Sequence, residues 1–372
     1  MLLRREIDLT AQPARRLLQI FLLLLIPVLL SIPSSLHVPS SINVALALVL
    51  FGIVGLALLQ GLAVEGAHVW LQRWLLITVC VWMLDGCVQL AFGHDLLGIA
   101  LGEARQIYGP FSGNLRFGLF ITVLMPVVFW RLVDRRPWLS LSLIALLGFV
   151  AGMSGARSNL LFFMLSCAVL LPRFGMRQRI AVLAAGCAVV LAVASFSPAI
   201  GQRWSTMVHL WEMREANPMQ TVDTALSGRL TIWRTAWRMV EYRPLTGVGA
   251  GAFARAYDHY SSSENDPFRS GGSYGSPSHA HQMYVSMAAE TGWVGLVSLI
   301  IVIGLCIRWY KTAPPPQRAL AAPYAAALAV IAFPLQSQPV LYIIWWFPVV
   351  LLLLCGLLAA LQPGENEPPG GR

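Results

Sequence analysis

The sequence predicts an all-α integral membrane protein of about ten to twelve transmembrane helices with one large helical loop on one side, and three observations predict it. Across 372 residues the chain is 57% hydrophobic and only 12% charged, far from the composition of a soluble domain. Apolar runs close to the ~20 residues that cross a bilayer core recur along it. A stretch of about ninety residues, 197–290, breaks that pattern with eight arginines and eight acidic residues.

Ten apolar runs stand out, at 17–36, 41–60, 69–91, 113–131, 138–153, 158–172, 179–196, 291–309, 319–338 and 340–361, the pair 138–153 and 158–172 being short. Cytoplasmic loops are enriched in Arg and Lys. Here Arg4, Arg5, Arg15 and Arg16 precede the first run and Arg73 falls near the start of the third. Arg131, Arg135 and Arg136, then Arg173, Arg177 and Arg179, then Arg308, Lys311 and Arg318 fill alternate short loops. That placement makes both termini cytoplasmic and turns 197–290 outward. It also accounts for most of the net charge of +9, so nucleic acid is not the expected partner. The first run has a basic flank but no convincing small-residue cleavage site, and it reads as an anchor.

The organisation that follows is a membrane bundle over 1–196, an external loop domain with amphipathic helices over 197–290, further membrane helices over 291–361, and a disordered cytoplasmic tail, 362–372, rich in Pro, Gly and Glu. All six cysteines lie in apolar runs and none in the external loop, which argues against a disulfide framework and a Cys-ligated metal.

Chemistry is therefore sought in 197–290. Leu230, Trp233, Trp237 and Val240 recur at helical spacing, predicting an amphipathic helix over 228–241 lying on the bundle or the membrane surface. Ser227 is its expected N-cap, and Arg243-Pro244 ends it. Arg229 falls in the first turn, where a cation sits badly with the helix dipole and an anion would relieve it. A solvated arginine paired with Asp223 or Glu241 is the alternative. Arg234 and Arg238 lie on the other faces.

Pro244-Leu245-Thr246-Gly247-Val248-Gly249-Ala250-Gly251 has no preceding strand of a βαβ unit, and reads as a tight turn rather than a nucleotide loop. Residues 257–278, rich in Ser, Gly, Asp and aromatics, read as a mobile loop able to close over a ligand. A second helix is expected from Ser278 as N-cap to a stop at Gly292, with His281 and Tyr284 on one face. A histidine near a helix start and near arginines should stay neutral, the form a general base needs. A metal-ligand role for His279 and His281 finds no third ligand at a recognisable spacing. An ordinary polar histidine at a membrane junction stays open.

At the edges of the runs, Arg116 and Arg157 are ionisable residues on the loop's side, and such residues are functional candidates by default, with snorkelling as the alternative. Asp85 lies within the third run, either neutralising one of these arginines or making a structural hydrogen bond.

The ordered set Gly155-Ala156-Arg157-Ser158, Ser227-Gly228-Arg229 with Trp233, Pro244-Leu245-Thr246-Gly247-Val248-Gly249, and His281-Gln282-Met283-Tyr284 through Ala289-Glu290-Thr291-Gly292 resembles the O-antigen ligase and O-antigen polymerase superfamily of bacterial envelope glycosyltransferases, most nearly the ligases. The resemblance covers about residues 110–310 by motif. It implies a GT-C-like membrane glycosyltransferase of the Gram-negative inner membrane, working at the periplasmic face in lipopolysaccharide biosynthesis. Its donor would be a polysaccharide on undecaprenyl pyrophosphate and its acceptor a lipid A–core oligosaccharide. No metal, nucleotide sugar or other cofactor takes part. Arg157 and Arg229 would hold the leaving diphosphate and His281 would activate the acceptor hydroxyl, with Arg116, Arg234, Arg238, Gln282 and Tyr284 around the substrates.

Two features depart from the family pattern: Gln282 replaces a common asparagine, and the chain shows ten spans where ligases have about a dozen. Three further readings remain: an O-antigen or exopolysaccharide polymerase, a protein O-oligosaccharyltransferase, and a lipid-linked sugar flippase. The flippase predicts repeated halves and mid-membrane charges.

Overall fold

The computed structural model describes residues 8–102, 105–111, 116–196, 218–262, 266–335, 338 and 341–362. Arg4 and Arg5, the tail beyond 362, and the segment 197–217 lie outside the described residues. The described elements are helical, and the bridge between His94 and Ala100 is isolated.

The helices are α1 Gln12–Ser31, α2 Val38–Leu62, α3 Ala67–Phe92, α4 Phe117–Arg135, α5 Pro137–Met153, α6 Arg157–Leu170, α7 Met176–Phe196, α8 Pro218–Ala225, α9 Arg229–Tyr242, α10 Phe253–Tyr260, α11 Met283–Thr312, α12 Pro315–Ile331 and α13 Phe347–Ala360. Each of the ten apolar runs of the sequence falls on one of them. Six (α1, α2, α3, α4, the 176–193 part of α7, and α11) are long and apolar enough to cross a membrane, and three shorter apolar helices accompany them. The protein is a multi-pass membrane protein.

The chain divides into two compact units. The first comprises Met1–Ala67, Val222–Ala325 and Ser337–Arg372. In it α1 packs on α2, α11 and α13, while α9 packs on α10 and α11. Leu22, Ile26 and Leu30 of α1 and Leu46, Leu50 and Ile53 of α2 are exposed, as side chains that face hydrocarbon must be. Helix α11 changes character along its length. From Met283 to Gly292 most of it is buried; from Trp293 onward Trp293, Val297, Ile300 and Ile301 are exposed. The segment from Trp293 to Thr312 matches a hydrocarbon core of ~30 Å at ~1.5 Å per residue. The first ten residues of α11 belong to a cap formed with α9 and α10.

The second unit comprises His68–Thr221 and Ala326–Gln336. Its centre is α4, buried almost end to end between α5 and α6. Gln89 and two aspartates organise the chain after α3. Gln89 Oε1 accepts the amides of Tyr108 and Gly109, and Asp95 Oδ1 accepts those of Leu97 and Ile99. Asp85 Oδ1 accepts the Leu96 amide at 2.8 Å, so this buried carboxylate is spent on a structural hydrogen bond.

Candidate functional site

The cap owes its order to a small apolar core in which Ile232, Ala236 and Met239 of α9 meet Phe253, Ala256 and Tyr257 of α10, closed by Val248, Ala280 and Ala289. The buried face of α9 is therefore the 232, 235, 236, 239, 240 stripe. Of the residues that recur at helical spacing, Val240 is buried, Trp233 is half-buried and Trp237 is 53% exposed. Trp237 meets Trp293 edge-on at 6.3 Å, where α11 begins its exposed apolar length, as amphipathic rings do at a membrane surface.

The segment expected to be a mobile loop, 257–278, starts inside a helix and is hydrogen-bonded just beyond it. Residues 253–260 are helical, and Asp266 gathers the chain that follows by accepting from Tyr257 Oη, Ser261 Oγ and the Phe268 amide at 3.1, 2.6 and 2.9 Å. Arg238 donates to the carbonyl of Tyr260 at 3.4 Å, a cation against a helix C-terminus. Arg234, one turn earlier on α9, is exposed.

The start of α9 is not capped by Ser227. Ser227 and Gly228 are both left-handed, with φ of 58° and 74°, and Gly228 is the N-cap residue. The capping oxygens come from Asp223 at the end of α8. Its carboxylate accepts the Leu230 amide at 2.8 Å and the Thr231 hydroxyl at 2.5 Å. The helix-start amides that a substrate phosphate was expected to use are thus taken by a resident anion. Arg229 contributes its guanidinium, half-buried, rather than a helix-end anion hole. Asp223→Ala is expected to destabilise the cap by ~1–2 kcal/mol, the size of a lost N-cap. Thermal melting of the purified protein checks it, and an unchanged midpoint would remove Asp223 from this role.

The second predicted helix start is also corrected. Helix α11 begins at Met283, with Gln282 rather than Ser278 as N-cap: Gln282 Oε1 accepts the Val285 amide at 2.6 Å. Gly292 ends this first helical segment as expected, with φ 65° and ψ −167°, and a second segment follows directly across the kink to Thr312. His281 accordingly precedes the helix, in a left-handed conformation at φ 52°, and shares no helical face with the half-buried Tyr284. A left-handed histidine carries strain that its surroundings must hold. Two anchors bracket it: the Trp233 indole donates to the carbonyl of buried Ala280 at 2.9 Å, and Gln282 is fixed by its capping bond. The backbone at His281 is held between them.

The two histidine rings meet edge to face at 4.3 Å, and Ser278 Oγ lies 2.6 Å from His279 Nδ1. Burial pushes the His281 imidazole down to about 4, helped by the charge of Arg229, and burial with the neighbouring His281 pushes His279 down to about 3. Both rings are neutral at neutral pH. The Arg229 charge acts on His281, so these two residues, 52 positions apart, are brought to one locality of the first unit.

Arg116 and Arg157 belong to the second unit. Arg116 is half-buried at the N-cap of α4. Arg157 is the first residue of α6, after Gly155 at φ 83°; its side chain lies outside the described residues.

What holds Arg229 and His281 in one locality is a knot that the sequence showed only as a glycine-rich turn. The carbonyls of Ala289 and Glu290, released at the Gly292 kink, accept the amides of Val248 and Gly249, both at 2.9 Å. The Trp293 amide donates to Pro244 O at 2.7 Å, and the Leu36 amide to Val248 O at 2.9 Å. The side chain of buried Glu290 accepts the Gly251 amide at 3.1 Å. Glu290 and the turn thus tie α9, α10, the α1–α2 connection and α11 into one body. A hollow lies beside this knot, at the far end of α9 from His281.

No curated protein matches the chain. Residues 141–300, which contain Arg157, Arg229, the glycine-rich turn and the histidine loop, match the family described as O-antigen ligase. That match supports the O-antigen ligase superfamily for this segment, and the family implies an activity of the glycosyltransferase-like ligase or polymerase type.

Proposed function

We propose that the protein is an O-antigen ligase, a metal-independent inverting glycosyltransferase at the periplasmic face of the Gram-negative inner membrane. It moves a polysaccharide from undecaprenyl pyrophosphate to a hydroxyl of lipid A–core oligosaccharide, in one displacement. His281 takes the proton of the acceptor hydroxyl as that oxygen bonds to the anomeric carbon. The bond from that carbon to the diphosphate breaks, and its electron pair leaves with undecaprenyl diphosphate. The guanidinium of Arg229 offsets the charge that develops there, in place of a divalent cation. The role of Arg157 in the same clamp rests on the resemblance alone.

The observation that carries this reading is the state of His281: neutral, half-buried, its backbone fixed on both sides by its anchors, and close enough to Arg229 to feel its charge. A base must be unprotonated and positioned before its substrate arrives. The test is reconstitution of the full chain in proteoliposomes with undecaprenyl-pyrophosphate-linked glycan and, separately, lipid A–core, a second lipid-linked glycan, and a Ser/Thr peptide. Glycan on lipid A–core is the expected product. Transfer only to the second glycan would make the protein a polymerase, only to the peptide an oligosaccharyltransferase, and transfer to none would overturn the reading.

A further inference from the structure

A hollow of about 630 Å³ lies between the α1–α2 connection, Pro33–Ser35, and the end of α9 with its following turn, Tyr242–Thr246. It is separate from the proposed reaction centre. Arg229 opens α9 and Tyr242 closes it, and a helix of 14 residues puts roughly 20 Å between them at ~1.5 Å per residue. The volume falls within the ~300–1,000 Å³ of sites for small organic ligands.

Its one cation is Arg243. The guanidinium donates through Nη1 to the carbonyl of Ser34, and it enters no ion pair among the described residues. A guanidinium has five N–H donors in a planar fork whose geometry matches the oxygens of a phosphate. Beside it stand two hydroxyls, Ser34 Oγ and Thr246 Oγ1, 2.9 Å apart. The wall therefore offers charge-assisted donors and neutral hydroxyls, with no carboxylate in the lining. That is a site for an anion, and the anion must come from outside the chain.

Its position identifies the source. The turn that forms one wall is bonded to α11 where the exposed apolar length of that helix begins, through the Trp293 amide and Pro244 O. Leu245, in one wall, is 66% exposed, and Leu29 and Leu30 are exposed on the end of α1 that leads into the Pro33–Ser35 wall. A water-soluble anion has no use for an apolar rim. A lipid needs one: its chains lie along α1 and α11 while its phosphate enters the hollow.

We propose that this hollow binds the phosphate-bearing head of a membrane lipid, held by Arg243 and the Ser34 and Thr246 hydroxyls. The assignment goes beyond the transfer reaction and depends on none of its steps. The full-length protein, purified in detergent, would be titrated with phosphatidylglycerol, with diacylglycerol of the same chains, and with soluble glycerol 3-phosphate, and bound lipid counted by native mass spectrometry. Phosphatidylglycerol should be retained at one tight site, diacylglycerol and glycerol 3-phosphate at least tenfold more weakly. Arg243→Gln should lose at least tenfold in affinity for phosphatidylglycerol. Because Arg243 also fastens the α1–α2 connection, Leu245→Glu provides a second variant, placing a carboxylate at the exposed mouth without touching that bond, and should give the same loss. Equal retention of diacylglycerol, equal binding of the soluble phosphate, or unchanged affinity in a folded Leu245→Glu protein would each overturn the assignment.

Discussion

Gly292→Ala is expected to undock the cap from the membrane helices while leaving those helices formed. Gly292 sits at φ 65° and ψ −167°, a region that is essentially reserved for glycine. A Cβ there would lie 2.3 Å from the carbonyl carbon and oxygen of Leu245 and 2.6 Å from Pro244 O, all backbone atoms with no rotamer to escape into. Backbone strain and overpacking each cost about 1–3 kcal/mol, so a loss of order 2–6 kcal/mol follows if the kink stays. If instead the helix straightens, Ala289 O and Glu290 O return to α-helical partners, and the Val248 and Gly249 amides lose theirs. Either path loosens the knot. Gly304, in the same helix with nothing within 4 Å of its Cβ position, is the control: Gly304→Ala should be silent. Protease susceptibility of the cap and tryptophan fluorescence on heating distinguish the two variants, and equal behaviour would show that the kink does not hold the cap.

The helices were legible in the sequence because lipid is a uniform solvent: a run of apolar residues near the thickness of the bilayer admits few structures other than a helix. All ten runs fall on helices for that reason. The polar loop obeys no such rule, and its details were read less well. Ser227 and Ser278 are good capping residues in isolation, yet α9 takes its cap from Asp223 and α11 from Gln282. Capping depends on where a side-chain oxygen falls in space, and Asp223 reaches its amides only because Ser227 and Gly228 turn left-handed between them. Gly292 was read correctly as a stop, since glycine marks a break in helical geometry; that a second helical segment starts at once from Trp293 was not legible until the partners of the freed carbonyls were known. The amphipathic helix over 228–241 was legible, but which of its apolar residues meet the core was not, because tryptophans mark a membrane interface as readily as a core. Gln282 shows how a departure from a family pattern can be benign: as an N-cap its amide needs only to reach Val285, a task a longer side chain performs. Glu290 was visible only as a motif letter, and its role in holding α10 on the kink came from the backbone it meets.

His281→Ala is expected to reduce glycan transfer by on the order of 10²–10⁴-fold, the contribution of a positioned general base, with the cap still folded. The fold should survive because the anchors of the loop, Trp233 on Ala280 and Gln282 on Val285, do not involve the imidazole. The pH profile separates a base from a residue that merely packs. A base must be deprotonated, and burial with the charge of Arg229 holds His281 at about 4. Transfer should therefore be flat from neutral pH down to about 5 and fall as His281 takes up its proton near 4. Stability moves in the same direction. His281 titrates near 6.5 when unfolded and near 4 when folded, so between these values the unfolded chain binds more protons and stability declines as pH drops. Folding must then be followed beside activity. Arg229→Ala sharpens the test. Without that charge the proton binds His281 more readily, so the acid limb should move up toward 6.5, while the lost clamp lowers transfer at every pH. A folded His281→Ala protein with full activity would remove His281 as the base.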